Sequence, residues 1–195
     1  MKNLSYSLGM SMATQLMQTG LENLDVEAFV KAFSEIMKNE ETTMSLEEAS
    51  QHIQEYFSAK QNEMLEMNKQ KGELFLAENA KKENVVTLPS GLQYEILTEG
   101  NGAIPTATDT VNCHYHGTLI DGTVFDSSVQ RGQPATFGVT QVIKGWVEAL
   151  QLMPVGSKWR LFVPSDMAYG KQGAGNDIQP NATLIFEVEL LGIQQ

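Results

Sequence analysis

Two histidines, one cysteine and a crowd of aromatic residues are the parts of this sequence that could carry chemistry. His114 and His116 stand two apart in a stretch that reads as a strand. They share one face and could chelate a metal, but no third ligand accompanies them, and the same spacing is that of an outward polar face. Cys113 is the only cysteine, which excludes an internal disulfide or a multi-cysteine zinc site. It shares the opposite face with Tyr115, the place of a buried thiol rather than a nucleophile. No nucleophile elbow, P-loop or dinucleotide fingerprint occurs. What stands out is the density of aromatic and branched residues around a few polar ones between residues 115 and 186. That is the composition of an apolar cleft, which by itself leaves the ligand open.

The elements that must hold such a cleft can be read from periodicity. Leu92/Tyr94/Ile96, Val111/Cys113/Tyr115, Trp159/Leu161/Val163 and Leu184/Phe186/Val188/Leu190 alternate at period two, as half-buried strands do. Gly100-Asn101-Gly102, Asp121-Gly122 and Met153-Pro154-Val155-Gly156 separate them as turns, and only Ile143 to Leu152 reads as helix. These spacings predict an antiparallel sheet curved around one short helix.

Upstream the punctuation changes. All 6 prolines and 13 of the 16 glycines fall in residues 84–195, so the earlier part is predicted to be helical. Leu4, Leu8, Met12, Leu16 and Met17 mark a first helix ending at Gly20. Asp25 caps a second, with Ala28, Phe29, Ala32, Phe33, Ile36 and Met37 as its stripe and Lys38 near its end. Ser45 and Glu48 form a capping box for a third, predicted from about Leu46 to Lys81 and broken only by Gly72. The later part of that helix, rich in Glu, Gln, Asn and Lys, reads as a solvated rod holding two modules apart. The expected organisation is a helical module over residues 1–44, a connecting helix over 45–83 and a β-rich domain over 84–195.

Two short helices bury too little for an independent core, so residues 1–44 imply either a partner or a fold back onto the β-rich domain of their own chain. The methionines at 10, 12, 17, 37 and 44 supply adaptable apolar surface suited to an intertwined homodimer. The net charge of −11 is spread over both halves, 8 Lys+Arg against 14 Asp+Glu in residues 1–88 and 5 against 10 beyond. A uniformly acidic surface argues against nucleic acid and against anionic membranes as partners. No apolar run approaches the ~20 residues of a membrane span and the first residues lack a secretory core, giving a cytoplasmic expectation, with a periplasmic or outer-membrane-associated location if a leader is removed.

Five strings carry a resemblance: Leu119-Ile120-Asp121-Gly122-Thr123-Val124-Phe125-Asp126-Ser127-Ser128, Val142-Ile143-Lys144-Gly145-Trp146, Val163-Pro164, Ala168-Tyr169-Gly170 and residues 184–191. In order and spacing they resemble the FKBP-type peptidyl-prolyl cis-trans isomerases. Residues 4–9 and 88–94 resemble the macrophage infectivity potentiator and related bacterial dimeric members, extending the likeness over the whole chain. The resemblance implies an α+β architecture: an all-α dimerisation module with a long connecting helix, then an FKBP-like antiparallel sheet wrapped around one short helix. It also implies that Tyr115, Phe125, Asp126, Val142, Ile143, Trp146, Tyr169, Ile178 and Phe186 line a pocket for proline. Ile143 through its backbone N–H and Tyr169 through its hydroxyl would donate to substrate carbonyls, with Asp126 beside the twisting carbonyl.

The chemistry of that reaction fits an apolar cleft. Rotation about a peptide bond must break amide resonance, a barrier of about 18–20 kcal/mol, and a dry pocket favours the less polar twisted state without nucleophile or cofactor. Two departures from the small members of the family stand out. Ala135 takes the place of an aromatic in the strand entering the pocket, which would open one wall, and Ala174 replaces a common histidine at the rim. Both bear on binding of macrolide inhibitors of the rapamycin type. The competing reading is a chaperone or adaptor that holds proline-containing clients with little turnover.

Overall fold

The computed structural model describes residues 1–21 and 23–194 and divides into two compact units, Met1–Tyr56 and Phe57–Gln195. The first unit contains α1 (Lys2–Gln18), α2 (Val26–Lys38) and the start of α3 (Leu46–Asn79). Its caps follow the chemistry of their residues. The Asp25 carboxylate accepts from the Ala28 N–H at 2.9 Å, and Asn39 closes α2 in the left-handed region at φ 58°. Ser45 and Glu48 form the reciprocal box: the Ser45 N–H donates to Glu48 Oε2 at 2.8 Å and the Glu48 N–H to Ser45 Oγ at 3.2 Å. Among the described residues of this unit none is buried, and Leu4, Leu8, Val30, Ile36, Met37 and Met44 all lie exposed.

The second unit begins inside α3 and contains one seven-stranded antiparallel sheet. Its strands are β1 (Val85–Thr87), β2 (Gln93–Thr98), β3 (Thr110–Leu119), β4 (Val124–Ser127), β5 (Ala135–Gly138), β6 (Lys158–Val163) and β7 (Leu184–Gln194), with short helices α4 (Ser128–Arg131) and α5 (Lys144–Leu150) between them. The order is β1-β2-β6-β7-β3-β4. The free edge of β3 is shared: β5 pairs its first half, Thr110–Cys113, and β4 its second, His116–Thr118. That division places α4 between the two partners, beside the middle of β3.

Period-two burial holds for β3, β6 and β7. Val111, Cys113 and Tyr115 face inward from β3, Trp159, Leu161 and Val163 from β6, and Leu184, Phe186, Val188 and Leu190 from β7. α5 packs against this face, with Trp146, Ala149 and Leu150 buried. Gly145 allows the approach, since a Cβ there would lie 2.6 Å from Val163 Cγ1. The β2 expectation is corrected. Leu92 is buried just ahead of the strand, but Ile96 is exposed, next to a register shift at Ile96/Thr98.

The polar second half of α3 is also corrected, for it is not washed by solvent on all sides. Leu65, Asn68, Gly72, Phe75, Leu76 and Asn79 are the residues of its stretch 61–79 that are not exposed, and their spacing of three and four puts them on one face. That face lies on the second unit's own sheet and loops. Phe75 and Phe162 have ring centroids 6.0 Å apart, which buries the outer face of β6 at Phe162. Buried Asn79 donates to Gln93 Oε1 at 2.8 Å, and Gln93 donates to the Leu76 carbonyl at 2.9 Å. Among the described residues, no helix is long and apolar enough to cross a membrane.

Gly72 shows how closely the helix fits. Glycine costs a helix interior about 1 kcal/mol relative to alanine, so Gly72→Ala would ordinarily stabilise. Here the added Cβ would stand 2.2 Å from Thr183 Oγ1 and 3.2 Å from its Cβ. Chemical denaturation is expected to find Gly72→Ala less stable than the parent by about 1–3 kcal/mol, the usual cost of overpacking; a more stable variant would show that the helix stands off from Thr183.

Candidate functional site

Four elements bring one aromatic ring each to the concave side of the sheet: β3 supplies Tyr115, β5 Phe137, β7 Phe186 and α5 Trp146. Trp146 is only 4 % exposed and stands nearly perpendicular to the other three, with centroid distances of 5.6 Å to Tyr115, 5.6 Å to Phe137 and 5.4 Å to Phe186. These are edge-to-face contacts, the arrangement that ring quadrupoles favour. Phe125 from β4 adds a further such contact to Phe186 at 5.5 Å. Gly117 makes room for that pair, since a Cβ would be 2.7 Å from the Phe125 ring and 3.0 Å from Phe186.

The rings line an open cavity of about 600 Å³. Tyr115, Phe125, Asp126, Val142, Ile143, Trp146, Tyr169, Ile178 and Phe186, the nine residues singled out from the sequence, all line it. Gln141, Ala174, Gly175 and Asp177 line it as well, and so does Phe137. Phe137 corrects the reading of Ala135. Both point to the same side of β5, but Ala135 pairs with Cys113 and packs into the core, while Phe137 reaches the cavity two residues on. The wall expected to be open is aromatic. Ala174 lies at the cavity, as the sequence comparison within the family implied.

Asp126 is held by two donors. The Tyr115 hydroxyl donates to Oδ2 at 2.5 Å, and Arg131, the last residue of α4, donates through Nη1 to Oδ1 and through Nη2 to the Tyr115 oxygen at 2.8 Å. Partial burial alone would raise the Asp126 pKa, but these hydrogen bonds and the Arg131 charge outweigh it and hold the carboxyl below its ordinary value. Burial, reinforced by the bond to Asp126, pushes the Tyr115 phenol up, so it stays a donor. Arg131 was not singled out from the sequence. Its only signal was its place five residues after Asp126, closing a helix that opens on the Ser127 cap and ends at Gly132 with φ 69°.

The two histidines serve this corner. His114 Nδ1 lies 3.0 Å from Ser128 Oγ and His116 Nδ1 2.9 Å from Ser127 Oγ, on the face of β3 away from the cavity. Ser128 Oγ in turn accepts from the Tyr115 N–H at 2.7 Å, tying the turn after Asp126 to β3. Cys113 is fully buried, and burial pushes its thiol up to about 12. That makes it a packing residue at neutral pH.

Several donors at the cavity are unengaged among the described residues: the buried Trp146 Nε1 in its floor, and the Ile143 N–H and Tyr169 hydroxyl on its wall. The Ile143 carbonyl starts α5 by accepting from the Trp146 and Val147 N–H groups at 2.9 and 3.0 Å, while its own N–H meets no acceptor among the described residues. Tyr169 is 41 % exposed, and its hydroxyl also has no partner among them. Past Tyr169 the chain folds back on itself: Ala174 and Ile178 exchange N–H···O bonds of 2.9 and 3.1 Å, which turns Ile178 inward. Gly173 permits this with φ 65°, where a Cβ would fall 2.2 Å from the Ile178 oxygen.

Comparison with known proteins bears on this arrangement. The model of the family described as "FKBP-type peptidyl-prolyl cis-trans isomerase" matches residues 102–191, and that of the "domain amino terminal to FKBP-type peptidyl-prolyl isomerase" matches residues 1–96. The chain is 47 % identical over 192 residues to the FKBP-type 22 kDa peptidyl-prolyl cis-trans isomerase of Escherichia coli, covering 97 % of this chain and 93 % of that one. It is 43 % identical over 199 residues to the outer membrane protein MIP of Legionella longbeachae, covering 98 % and 85 %. The crystal structure of FkpA from Escherichia coli superimposes with a TM-score of 0.84 at 34 % identity, covering 99 % of this chain and 94 % of that one.

The Asp126 corner makes a pH prediction. A carboxyl held below its unfolded value, about 3.9 for aspartate, adds stability that is present above that value and is lost as pH falls through the folded one. The Asp126 carboxyl carbon resonance is expected to titrate below the ordinary aspartate range, and to move up towards it in Arg131→Met. A titration midpoint unchanged by Arg131→Met would dismiss the guanidinium as the cause.

Proposed function

The chain belongs to the FKBP-type peptidyl-prolyl cis-trans isomerases, and from that premise we propose how its residues divide the work. It is an enzyme that interconverts cis and trans Xaa-Pro bonds. The cavity floored by Trp146 receives the proline ring, with Tyr115, Phe125, Val142, Ile178 and Phe186 as its walls. The observation that carries this reading is the pairing of an aromatic cleft with unengaged donors on its wall, the Ile143 N–H and the Tyr169 hydroxyl.

The planar ground state of the imide is polar and is stabilised by water; the twisted state is less so. Moving the bond into an apolar wall therefore raises the ground state relative to the twisted one. The Ile143 N–H and the Tyr169 hydroxyl donate to carbonyls of the peptide and hold it while the bond rotates. Asp126 lies beside the rotating carbonyl, its charge taken up by Arg131 and the Tyr115 hydroxyl, so that no unpaired carboxylate repels the carbonyl oxygen. The step transfers no proton and forms no covalent bond. Its only requirement is a pocket that binds the twisted state better than the planar one.

Residues 1–44 act as the dimerisation module and residues 45–83 as the connection to the isomerase domain over 84–195. What supports a second copy is that no described residue of Met1–Tyr56 is buried, although its helices carry apolar faces. Two cavities on one dimer would engage an unfolded client at two prolines and gain avidity, so chaperone activity accompanies turnover. Proline-containing protein clients are the substrates. A macrolide of the rapamycin type competes for the cavity, because Phe137 supplies the wall that Ala135 leaves out. The cytoplasmic expectation gives way to the envelope alternative, since a relative 43 % identical is named an outer membrane protein.

The decisive assay is the cis-to-trans rate of a short Xaa-Pro peptide. Intact protein should accelerate it, and Tyr169→Phe and Asp126→Ala should each lower kcat/KM by roughly 3–10-fold, the scale of one lost hydrogen bond. Full activity in both variants would remove these residues from the mechanism. Sedimentation should give twice the 21.5 kDa of one chain, reduced to one by Met12→Asp; a monomeric parent would end the dimer proposal.

A further inference from the structure

The loop that follows Tyr169 supplies Ala174, Gly175, Asp177 and Ile178 to the cavity, yet it has few bonds of its own. Its tip is closed by the Ala174–Ile178 pair and its foot by the Asn181 N–H, which donates to the Gly170 carbonyl at 2.8 Å. Between tip and foot, Gln179 and Pro180 make no backbone bond to a described residue that would fix the tip relative to the sheet, apart from the Ala182 N–H donating to the Gln179 carbonyl at 3.2 Å. The missing support comes from the long helix. Asn68 Nδ2 donates to the Pro180 carbonyl at 2.9 Å and more weakly to Gln179 Oε1 at 3.4 Å. In return Asn181 Nδ2 donates to the Leu65 carbonyl at 3.0 Å.

Leu65, Asn68 and Gly72 are three and four residues apart and lie on one face of α3. Gly72 brings that face against Thr183, two residues beyond Asn181. Asn181 is only 7 % exposed and adopts φ 57°, a conformation that asparagine tolerates better than most side chains. A left-handed, nearly buried asparagine aimed at a helix carbonyl, and a helix asparagine aimed back at the preceding carbonyl, form a two-way clamp.

We propose that Asn68 is a positioning residue for the isomerase: through the Pro180 carbonyl, and with Asn181 bonded to Leu65, it fixes the foot of the loop whose tip sets Ile178 in the proline cavity. The proposal rests on the assignment of Ile178 to the substrate wall. It also gives the polar second half of α3 a part in catalysis that a spacer would not have. A loop that grips the peptide in planar and twisted states alike contributes uniform binding, so loosening it raises KM more than it lowers kcat.

The test uses the full chain and three variants. Asn68→Ala removes the donor, Asn68→Asp keeps the shape but presents a carboxylate to the Pro180 oxygen, and Asn181→Gly keeps the left-handed backbone while removing the second donor. Gln70→Ala, whose amide bonds only Glu66 on the helix surface, is the control. Each of the three is expected to raise KM for an Xaa-Pro peptide about 3–10-fold, one hydrogen bond's worth, with kcat changed less than twofold. Amide exchange at Ile178 and Asn181 should quicken by a similar factor while core amides of β3 and β7 stay protected, and Asn68→Ala combined with Asn181→Gly should be less than additive. Unchanged KM and unchanged Ile178 exchange in Asn68→Ala would overturn the proposal, as would an equal effect of Gln70→Ala or a loss confined to kcat. Should Asn68→Ala unfold, Asn181→Gly tests the same link from the other side. An inactive parent chain would instead contradict the isomerase site itself, so the two failures are told apart.

Discussion

A buried indole with three rings standing edge-on around it is the contact on which the rest of the structure depends. Trp146 can hold that position only if α5 is pressed into the concave face of the sheet, and α5 can be pressed there only because Gly145 leaves space for Val163. Tyr115, Phe137 and Phe186 come from three strands that neighbour one another, so the sheet must curve for their rings to converge on one residue. Edge-to-face aromatic pairs add about 0.5–1.5 kcal/mol each beyond the area they bury. The same packing that stabilises the domain leaves an aromatic cleft above the floor, so core and site are one feature here.

Polar residues then orient what the rings enclose. Arg131 and the Tyr115 hydroxyl keep Asp126 ionised and paired, the serine–histidine contacts behind β3 steady the turn that carries it, and the asparagines of α3 and of the last loop hold the far wall. Each of these contacts is a hydrogen bond to a group that would otherwise be left half-satisfied near the interior, where loss of a partner is costly.

Much of this was legible in the sequence, for identifiable reasons. Strands β3, β6 and β7 have one face on the core and one in solvent, so their alternation was plain, and the motif around Phe125-Asp126 together with Ile143 and Trp146 carried the site. The docking of α3 could not be read because polar and small residues are interspersed with the apolar ones on its buried face. The face of α3 that lies on its domain runs through Asn68, Gly72 and Asn79, which by composition looks like a solvated surface, and its partner on β2 is buried Gln93, on the outward face that alternation leaves to solvent. Phe137 was hidden by a different ambiguity, a two-residue displacement along one face of β5 that leaves the alternation unchanged. The first helices were placed correctly with their caps, yet none of their described apolar residues is buried within Met1–Tyr56, a partial cover that a second chain would complete.

The central claim is that the bond rotates while the proline ring rests on Trp146. Exchange spectroscopy on a Xaa-Pro peptide with the intact protein tests both halves at once, by reading cis–trans exchange and intermolecular Overhauser contacts in one sample. Exchange cross-peaks are expected to rise with protein concentration, accompanied by contacts from the proline ring protons to the Trp146 indole and the Ile178 methyls. Accelerated exchange with no contact to Trp146, or contact with Trp146 and no acceleration, would contradict the claim.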